Sequence, residues 1–252
     1  MRDPASGVSD AESFEAFNRQ TLIAIPVYNR AGCLLRLLAS MYACQSLLAE
    51  NVHVFDDASE EFDAVFLRRN LHPASQLICH VSNSGRADQA VARIFDFFLQ
   101  SSYQQVLLLD SDLLVADDML QTAWRGFAQS EGLLSLFNTP NHPSSAQLVP
   151  EGLLLKHSVG FAGTLWGREV VTDLVANVPV SNTFDWDICR YLSGRRAIWC
   201  LLESRVQHVG SEGQNSRRDH FDYGVGFNPG NMVTANLLAR ETEKIILALQ
   251  NR

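Results

Sequence analysis

The sequence contains no apolar run that approaches the roughly 20 residues needed to span a bilayer. Residues 1–16 are polar and acidic, and they lack the hydrophobic core of a secretory signal peptide. These two absences predict a cytoplasmic protein without a transmembrane segment. They remain compatible with peripheral contact at the inner face of the membrane.

Basic residues are few, with 20 Lys and Arg against 28 Asp and Glu, and the net charge is −8. A nucleic-acid-binding protein that relies on a broad basic face is therefore excluded. The five cysteines show neither C-x-x-C spacing nor a disulfide framework, so we expect reduced thiols. No G-x-x-x-x-G-K-[ST] motif is present, which excludes a P-loop enzyme.

Strand-like and helix-like segments alternate from Thr21 onward, which predicts an α/β domain with a Rossmann-like, mainly parallel central sheet flanked by helices. We expect residues 1–20 to form a flexible N-terminal segment and residues 21–252 to form a single domain. The predicted strands of the first half cover 21–27, 52–55, 76–81 and 105–109, and the predicted helices cover 31–43 and 87–99.

Each of these four strands is followed by a polar cluster: Tyr28-Asn29-Arg30, Asp56-Asp57, Asn83 to Arg86, and Asp110-Ser111-Asp112. Right-handed crossovers place the carboxyl ends of parallel strands at one edge of the sheet, where ligands bind in open α/β folds. The sequence therefore predicts a ligand site at this edge.

The most informative cluster is Asp110-Ser111-Asp112, which follows the apolar run 106–109. A divalent cation relieves the repulsion between paired carboxylates and can bridge them to phosphate oxygens, so the pattern favours a metal-bound nucleotide. The alternative is an acidic turn that caps the next helix.

The order and spacing of four motifs resemble those of glycosyltransferase family 2: 25–30 (IPVYNR), 54–59 (VFDDAS), 83–86 (NSGR) and 109–112 (LDSD). The one departure in these motifs is Ala58, where the family usually has Gly. The resemblance implies a GT-A fold and an inverting hexosyltransferase that uses a nucleoside-diphosphate sugar, with a UDP-sugar as the commonest donor. It further implies a nucleotide-sugar-binding half over 21–115 and an acceptor-binding half over 116–252.

By this resemblance the nucleotide site is lined by the turn after the first strand, with Tyr28 packed on the base. Asp56 or Asp57 would accept a hydrogen bond from the base, and Arg86 would hold the base or phosphate. The complete set of donor-site residues is Pro26, Val27, Tyr28, Arg30, Asp56, Asp57, Arg86, Asp110, Ser111 and Asp112.

The resemblance also implies a Mn²⁺ or Mg²⁺ ion held by Asp112 and His208, with Asp110 near the ribose or the metal's water shell. Mn²⁺ tolerates a nitrogen ligand more readily than Mg²⁺ does. Asp185, in the segment Phe184-Asp185-Trp186-Asp187, matches the general base of the family, although Phe184 replaces the usual Glu. Asp187 remains a second candidate for the base.

The acceptor side would include Gly163, which allows close approach of a sugar, and Trp166, which could stack on a pyranose or lie in the core. Arg217 and Arg218 resemble part of a loop that closes over the diphosphate. The acceptor could be a glycan, a glycolipid or a protein, and the family resemblance points to polysaccharide biosynthesis. Two other interpretations stay open, namely an inactive nucleotide-sugar-binding module and a haloacid-dehalogenase-like phosphatase.

Overall fold

The computed structural model describes residues 10–145, 149–210 and 222–250. Eight strands form the main sheet in the order β3-β2-β1-β4-β8-β6-β9-β7, and β5 pairs with β10 in a separate two-stranded sheet. The strands are β1 (Thr21–Val27), β2 (Val52–Asp56), β3 (Gln76–Cys79), β4 (Gln105–Leu108), β5 (Leu113–Val115), β6 (Leu133–Ser135), β7 (Leu153–Lys156), β8 (Thr164–Gly167), β9 (Ile198–Leu201) and β10 (Val206–His208). The helices are α1 (Asp10–Arg19), α2 (Ala31–Tyr42), α3 (Ala64–Asn70), α4 (Ala87–Gln100), α5 (Met119–Phe127), α6 (Arg168–Asn177), α7 (Phe184–Leu192) and α8 (Met232–Gln250).

The first half of the sheet, β3-β2-β1-β4, is entirely parallel. Strand β1 lies inside it and is almost completely buried, which explains why it reads as a continuous apolar run rather than as an alternating one. The carboxyl ends of these strands therefore lie at one edge, and the predicted polar clusters begin there.

The second half of the sheet is mixed. Strand β8 runs antiparallel to both β4 and β6, β6 and β9 are parallel, and β7 is antiparallel to β9. Its strands are only three or four residues long, and antiparallel neighbours do not need a helical crossover between them. The sheet is mostly parallel, as the sequence predicts, and its antiparallel pairs all involve β7 or β8.

Two apolar cores cover the two faces of the sheet. One joins the sheet to α2 and α5 through residues such as Leu34, Met41 and Leu120. The other joins it to α4, α6 and α7 through residues such as Phe95 and Ile188. The helices on both faces bury the sheet and fix the positions of its carboxyl-end loops.

The expectation of a flexible segment over 1–20 is wrong for residues 10–19, because they form α1. Phe14 packs against Trp124 with ring centroids 5.7 Å apart, and Phe17 packs against Phe127 at 6.1 Å. The helix is held by tertiary contacts with α5, which lies more than 100 residues away in the sequence, and a local reading of a polar segment cannot detect them.

Within the described residues, no helix is both long and apolar enough to cross a membrane. All five cysteines are free thiols, as predicted.

Candidate active site

The turn after β1 is conformationally strained. Asn29 and Arg30 both have positive φ, at 55° and 62°, in a region that residues other than glycine rarely adopt. The Asn29 side-chain carbonyl accepts hydrogen bonds from the Glu60 and Glu61 amides at 2.8 and 2.9 Å, which holds the turn against the loop after β2. Consecutive strained residues persist only when their surroundings fix them, and they concentrate at functional sites.

This turn directs Arg30 to Asp112, which follows β4. The Arg30 Nη2 atom lies 2.8 Å from Asp112 Oδ2, and the carboxylate is buried. His208 approaches the same oxygen, with its Nε2 atom 3.3 Å away. The predicted pairing of Asp112 with His208 is therefore present as a contact, and Arg30 adds a cation to it.

The small sheet explains how residues almost 100 positions apart meet. Strand β10 pairs antiparallel with β5, and the register places His208 opposite Leu113. The Val209 amide then donates to the Asp112 carbonyl at 2.9 Å, which fixes the two backbones beside each other. His208 reaches Asp112 because this ladder ends next to Asp112.

The two carboxylates of the motif differ in acidity. Burial alone would raise the pKa of Asp112, but the hydrogen bond and charge of His208, together with the Arg30 guanidinium, lower it to about 2. Burial and the neighbouring Asp112 charge raise the pKa of Asp110 to about 6. Burial opposes protonation of His208, yet the contact with Asp112 dominates and raises its pKa. Asp112 is thus the more acidic of the two carboxylates.

The two aspartates at the carboxyl end of β2 differ in how many hydrogen bonds and ion pairs their carboxylates make. Asp57 is fully engaged, since it accepts hydrogen bonds from the Ser84 amide and hydroxyl and pairs with Arg93 Nη1 at 2.8 Å. Asp56 uses Oδ1 to accept the Ser59 amide at 3.1 Å. Sequence reasoning missed Arg93, whose only signal is its position on α4, the helix that follows the Asn83–Arg86 loop.

The other predicted donor-site residues are placed as follows. Pro26 lines the cavity described below. Tyr28, two residues further along the chain, is half-buried, and Arg86 is exposed at the start of α4. The Val27 side chain is in the core, and its carbonyl accepts the Asp57 amide, so it has no free group for a ligand. Ser111, which separates the two aspartates of the motif in the sequence, is buried.

A cavity of about 520 Å³ connects the two halves of the chain. Asp110, His208 and Asp185 all line it. Its volume falls within the range of small-molecule sites, and buried titratable groups converge on it. The structure therefore brings Asp110, His208 and the predicted base Asp185 into one cleft, and Asp112 adjoins it through its contact with His208.

The two candidates for the base, Asp185 and Asp187, both lie on helix α7 but have different surroundings. Asp185 lies at the start of the helix and lines the cavity. Asp187 accepts a hydrogen bond from Ser181 and pairs with Arg190, so its carboxylate is occupied outside the cavity lining.

The structure decides between the two alternatives for Trp166. The residue is fully buried, packs edge-on against Phe95 at 5.8 Å and donates its indole N–H to Thr164, so it lies in the core and does not stack on a sugar. Gly163 instead allows close approach of a strand, because an added Cβ would lie 2.5 Å from Val206 Cγ2. Arg217 and Arg218 lie outside the described residues.

The cavity also contains residues that sequence reasoning missed. Lys156 is buried and donates to the carbonyls of Thr139 and His142 at 2.9 and 2.6 Å, which ties the loop after β6 to β7. Its only sequence signal is a lone charge in an apolar segment. Trp186 lies beside the predicted base and is the exposed aromatic of this cleft.

Comparison with known structures defines the class of this fold as GT-A. Residues 1–349 of TarS from S. aureus superpose with a TM-score of 0.51 at 19% identity, covering 74% of this chain and 59% of TarS 1–349. A complex of the same protein with UDP-GlcNAc gives 0.53 at 19% identity, covering 77% and 59%. A mannosyltransferase from Pyrobaculum calidifontis in complex with GDP-Man and Mn²⁺ gives 0.52 at 19% identity, covering 71% and 54%.

The family model for glycosyl transferase family 2 matches residues 22–150, which is half of the chain. The protein belongs to glycosyl transferase family 2. No curated protein sequence matches the chain. The chain spans less than two thirds of the length of the solved structures named above.

Proposed function

We propose that this protein transfers a sugar from a nucleoside-diphosphate sugar, of the UDP class, to an acceptor hydroxyl with inversion at the anomeric carbon. The observation that carries the proposal is the single cleft lined by Asp110, His208 and Asp185, in which His208 also contacts Asp112, the partner of Arg30. Solved relatives of the fold include complexes with UDP-GlcNAc and with GDP-Man and Mn²⁺, which supports a donor of this kind.

The nucleotide would lie along the carboxyl ends of β1 and β2. Asp57 is saturated by Ser84 and Arg93, so Asp56, with one carboxylate oxygen uncommitted to Ser59, is the residue we assign to the base. Tyr28 would pack on the base, and the cations of Arg30 and Arg86 would face the diphosphate. Guanidinium groups suit this position because they bind phosphate oxygens in a fixed fork.

A divalent cation fits the residues present. Two ligands about 2.1 Å from an octahedral ion and at right angles are about 3.0 Å apart, close to the observed 3.3 Å between His208 Nε2 and Asp112 Oδ2. Among the described residues no group of three or more His, Cys, Asp or Glu is arranged for metal binding, so diphosphate oxygens and water would complete the shell. When bound, the cation would neutralise the charge that develops on the departing diphosphate.

The chain's own residues supply the remaining chemistry. Asp185 accepts the proton of the acceptor hydroxyl as that oxygen forms a bond to the anomeric carbon. The bond between the anomeric carbon and the diphosphate oxygen breaks on the opposite face, which inverts the configuration. Arg30 is positioned to move from Asp112 to the diphosphate when the donor binds, because both partners offer anionic oxygens to one guanidinium.

The first experiment is thermal stabilisation by UDP, GDP, ADP and CDP, each with and without Mn²⁺. Selective binding raises the melting temperature by mass action, so we expect a Mn²⁺-dependent increase with UDP. Asp112→Asn should remove the Mn²⁺-dependent part of the increase. Its unliganded melting temperature should fall, because a buried ion pair is lost, and the nucleotide shift of the variant is measured from that lower value. The absence of a shift with every nucleotide in the wild-type protein would contradict the proposal.

Asp185→Asn separates a transferase from an inactive nucleotide-sugar-binding module. The variant should keep the nucleotide shift and lose at least about 100-fold in transfer rate, the usual contribution of a positioned general base. Asp187→Asn is the matched control, and we expect its transfer rate to remain within a few-fold of wild type. Equal losses in both variants would contradict the assignment of Asp185.

A further inference from the structure

Trp186 is the one large aromatic side chain that is both exposed and part of the cleft lining among the described residues. It is 50% exposed, whereas Trp166 is fully buried and packed in the core. It follows Asp185, the residue proposed as the base, directly on α7, and both residues line the cleft. An indole left half in water at a catalytic cleft offers a large apolar surface to a ligand.

The surroundings of this indole are polar. The His142 ring lies 6.3 Å from the Trp186 ring, and its Nδ1 atom is held 2.8 Å from Ser158 Oγ, which fixes the imidazole beside the indole. Asn182 and Thr183, both exposed, line the same part of the cavity. One apolar ring face is thus bordered by several hydrogen-bonding groups.

This combination discriminates between acceptor classes. A lipid chain requires continuous apolar walls, and polar groups left unpaired against it would be costly. A phosphate-bearing acceptor requires an uncommitted cation. Among the described residues the lining contains one lysine and no arginine, and this residue, Lys156, already donates to the carbonyls of Thr139 and His142. A pyranose presents C–H groups on one face and hydroxyls around its edge, which matches an indole bordered by hydrogen-bonding side chains.

We propose that Trp186 is the platform on which an acceptor sugar ring lies, and that the acceptor of this enzyme is therefore a pyranoside. The ring would stack on the indole, and one of its hydroxyls would then face Asp185. This inference rests on the proposed glycosyl transfer and specifies the class of acceptor.

The test is saturation-transfer difference NMR with a panel of methyl pyranosides of glucose, galactose, mannose and N-acetylglucosamine, both anomers, in the presence of UDP and Mn²⁺. We expect wild type to transfer saturation to the ring C–H protons of at least one pyranoside. Trp186→Ala should reduce that signal at least fivefold, and Trp186→Phe should retain most of it. Tyr42→Ala is the control, since Tyr42 is a 38% exposed aromatic at the end of α2, away from the cleft.

Thermal stabilisation by UDP and Mn²⁺ is measured on the same samples, and it should be unchanged in Trp186→Ala because the indole is not assigned to the donor. If the nucleotide shift is present but no pyranoside binds, or binding is equal in wild type and Trp186→Ala, the platform is overturned while the proposed function stands. If the nucleotide shift is absent in wild type, the proposed function itself fails.

Discussion

At the scale of single residues, the Asp112 carboxylate has little free space around it. Gly210 lies against it, and an added Cβ would overlap Asp112 Oδ2 and lie 2.5 Å from Arg30 Nη2. Gly210 does not require positive φ, so its role is to leave room rather than to relieve backbone strain. A glycine two residues after His208 therefore leaves the space in which Asp112 and Arg30 pair.

We predict that Gly210→Ala lowers Mn²⁺-dependent nucleotide binding at least 10-fold, because the new methyl group must displace the Asp112 carboxylate. The free energy of unfolding should fall as well, by about 1–3 kcal/mol, because the methyl group overpacks a buried ion pair. Titration of nucleotide by calorimetry, together with urea denaturation, measures both quantities.

The control is Gly32→Ala, in the first turn of α2, where an added Cβ would lie 3.4 Å from the flexible end of Arg36. Nucleotide affinity should be unchanged there, and stability should be equal or higher because alanine favours the helix. Wild-type affinity in Gly210→Ala would mean that Asp112 does not need its present position.

At the scale of elements, α1 shows what a local reading of the sequence misses. Strand β1 has the bounds that the sequence predicts, and helices α2 and α4 differ from their predicted bounds by one residue, since each carries a strong apolar pattern of its own. Helix α1 and strand β5 were not predicted. Strand β5 is three residues long, and its identity depends on pairing with β10, about 90 residues later.

We predict that Phe17→Ala lowers the free energy of unfolding by about 2 kcal/mol, the lower end of the cost of truncating an apolar side chain. The reason is the loss of the Phe17 contact with Phe127, which ties α1 to α5. Urea denaturation measures the change. Glu15→Ala, on the exposed side of the same helix, removes only a surface pair with Arg19 and should cost at most about 0.5 kcal/mol. Equal effects would show that α1 does not contribute through packing.

The segment before β8 positions β10, the strand that carries His208. Gly163 has φ of 64°, and Val206 in β10 occupies the space that a Cβ would need. We predict that Gly163→Ala costs about 3 kcal/mol, combining backbone strain with overpacking. In a Val206→Ala background the same substitution should cost less, because the clash is relieved and only the strain remains.

Gly194→Ala isolates the strain component, since Gly194 has φ of 73° and nothing lies within 4 Å of its added Cβ. Its cost should match that of Gly163→Ala in the Val206→Ala background. A full double-mutant cycle by urea denaturation gives the coupling energy. Additive effects would place the tight contact elsewhere than between Gly163 and Val206.

At the scale of the whole molecule, the sequence predicted the fold class and the four polar strand ends, because strong strands and their terminal residues are local features. It could not predict which carboxylates are free. Asp57 is neutralised by Arg93, and only the packing of α4 reveals this. Asp187 pairs with Arg190 three residues further along the same helix, a local contact that sequence reasoning missed. The sequence left open whether Trp166 lies in the core or meets a sugar, since it does not show which face of β8 meets α4.

The site joins segments from both ends of the chain, and this arrangement makes a prediction for hydrogen–deuterium exchange. Asp112 contacts Arg30, in the turn after β1, and His208, at the end of β10. A nucleotide and Mn²⁺ that engage Asp112 should therefore slow amide exchange in three separated stretches, 28–30, 110–113 and 206–210. Each should be protected at the same ligand concentration, because one binding event closes local opening in all three.

The amides of α1 serve as the internal reference, since this helix packs on α5 and does not line the cleft. Asp112→Asn should abolish protection at 206–210 and leave part of the protection at 28–30, where the base is expected to bind. Protection confined to 28–30 and 110–113 in wild type would mean that His208 is not a metal ligand. The donor would then be held by the first half of the chain alone, and β10 would serve only to support Asp112 through its backbone.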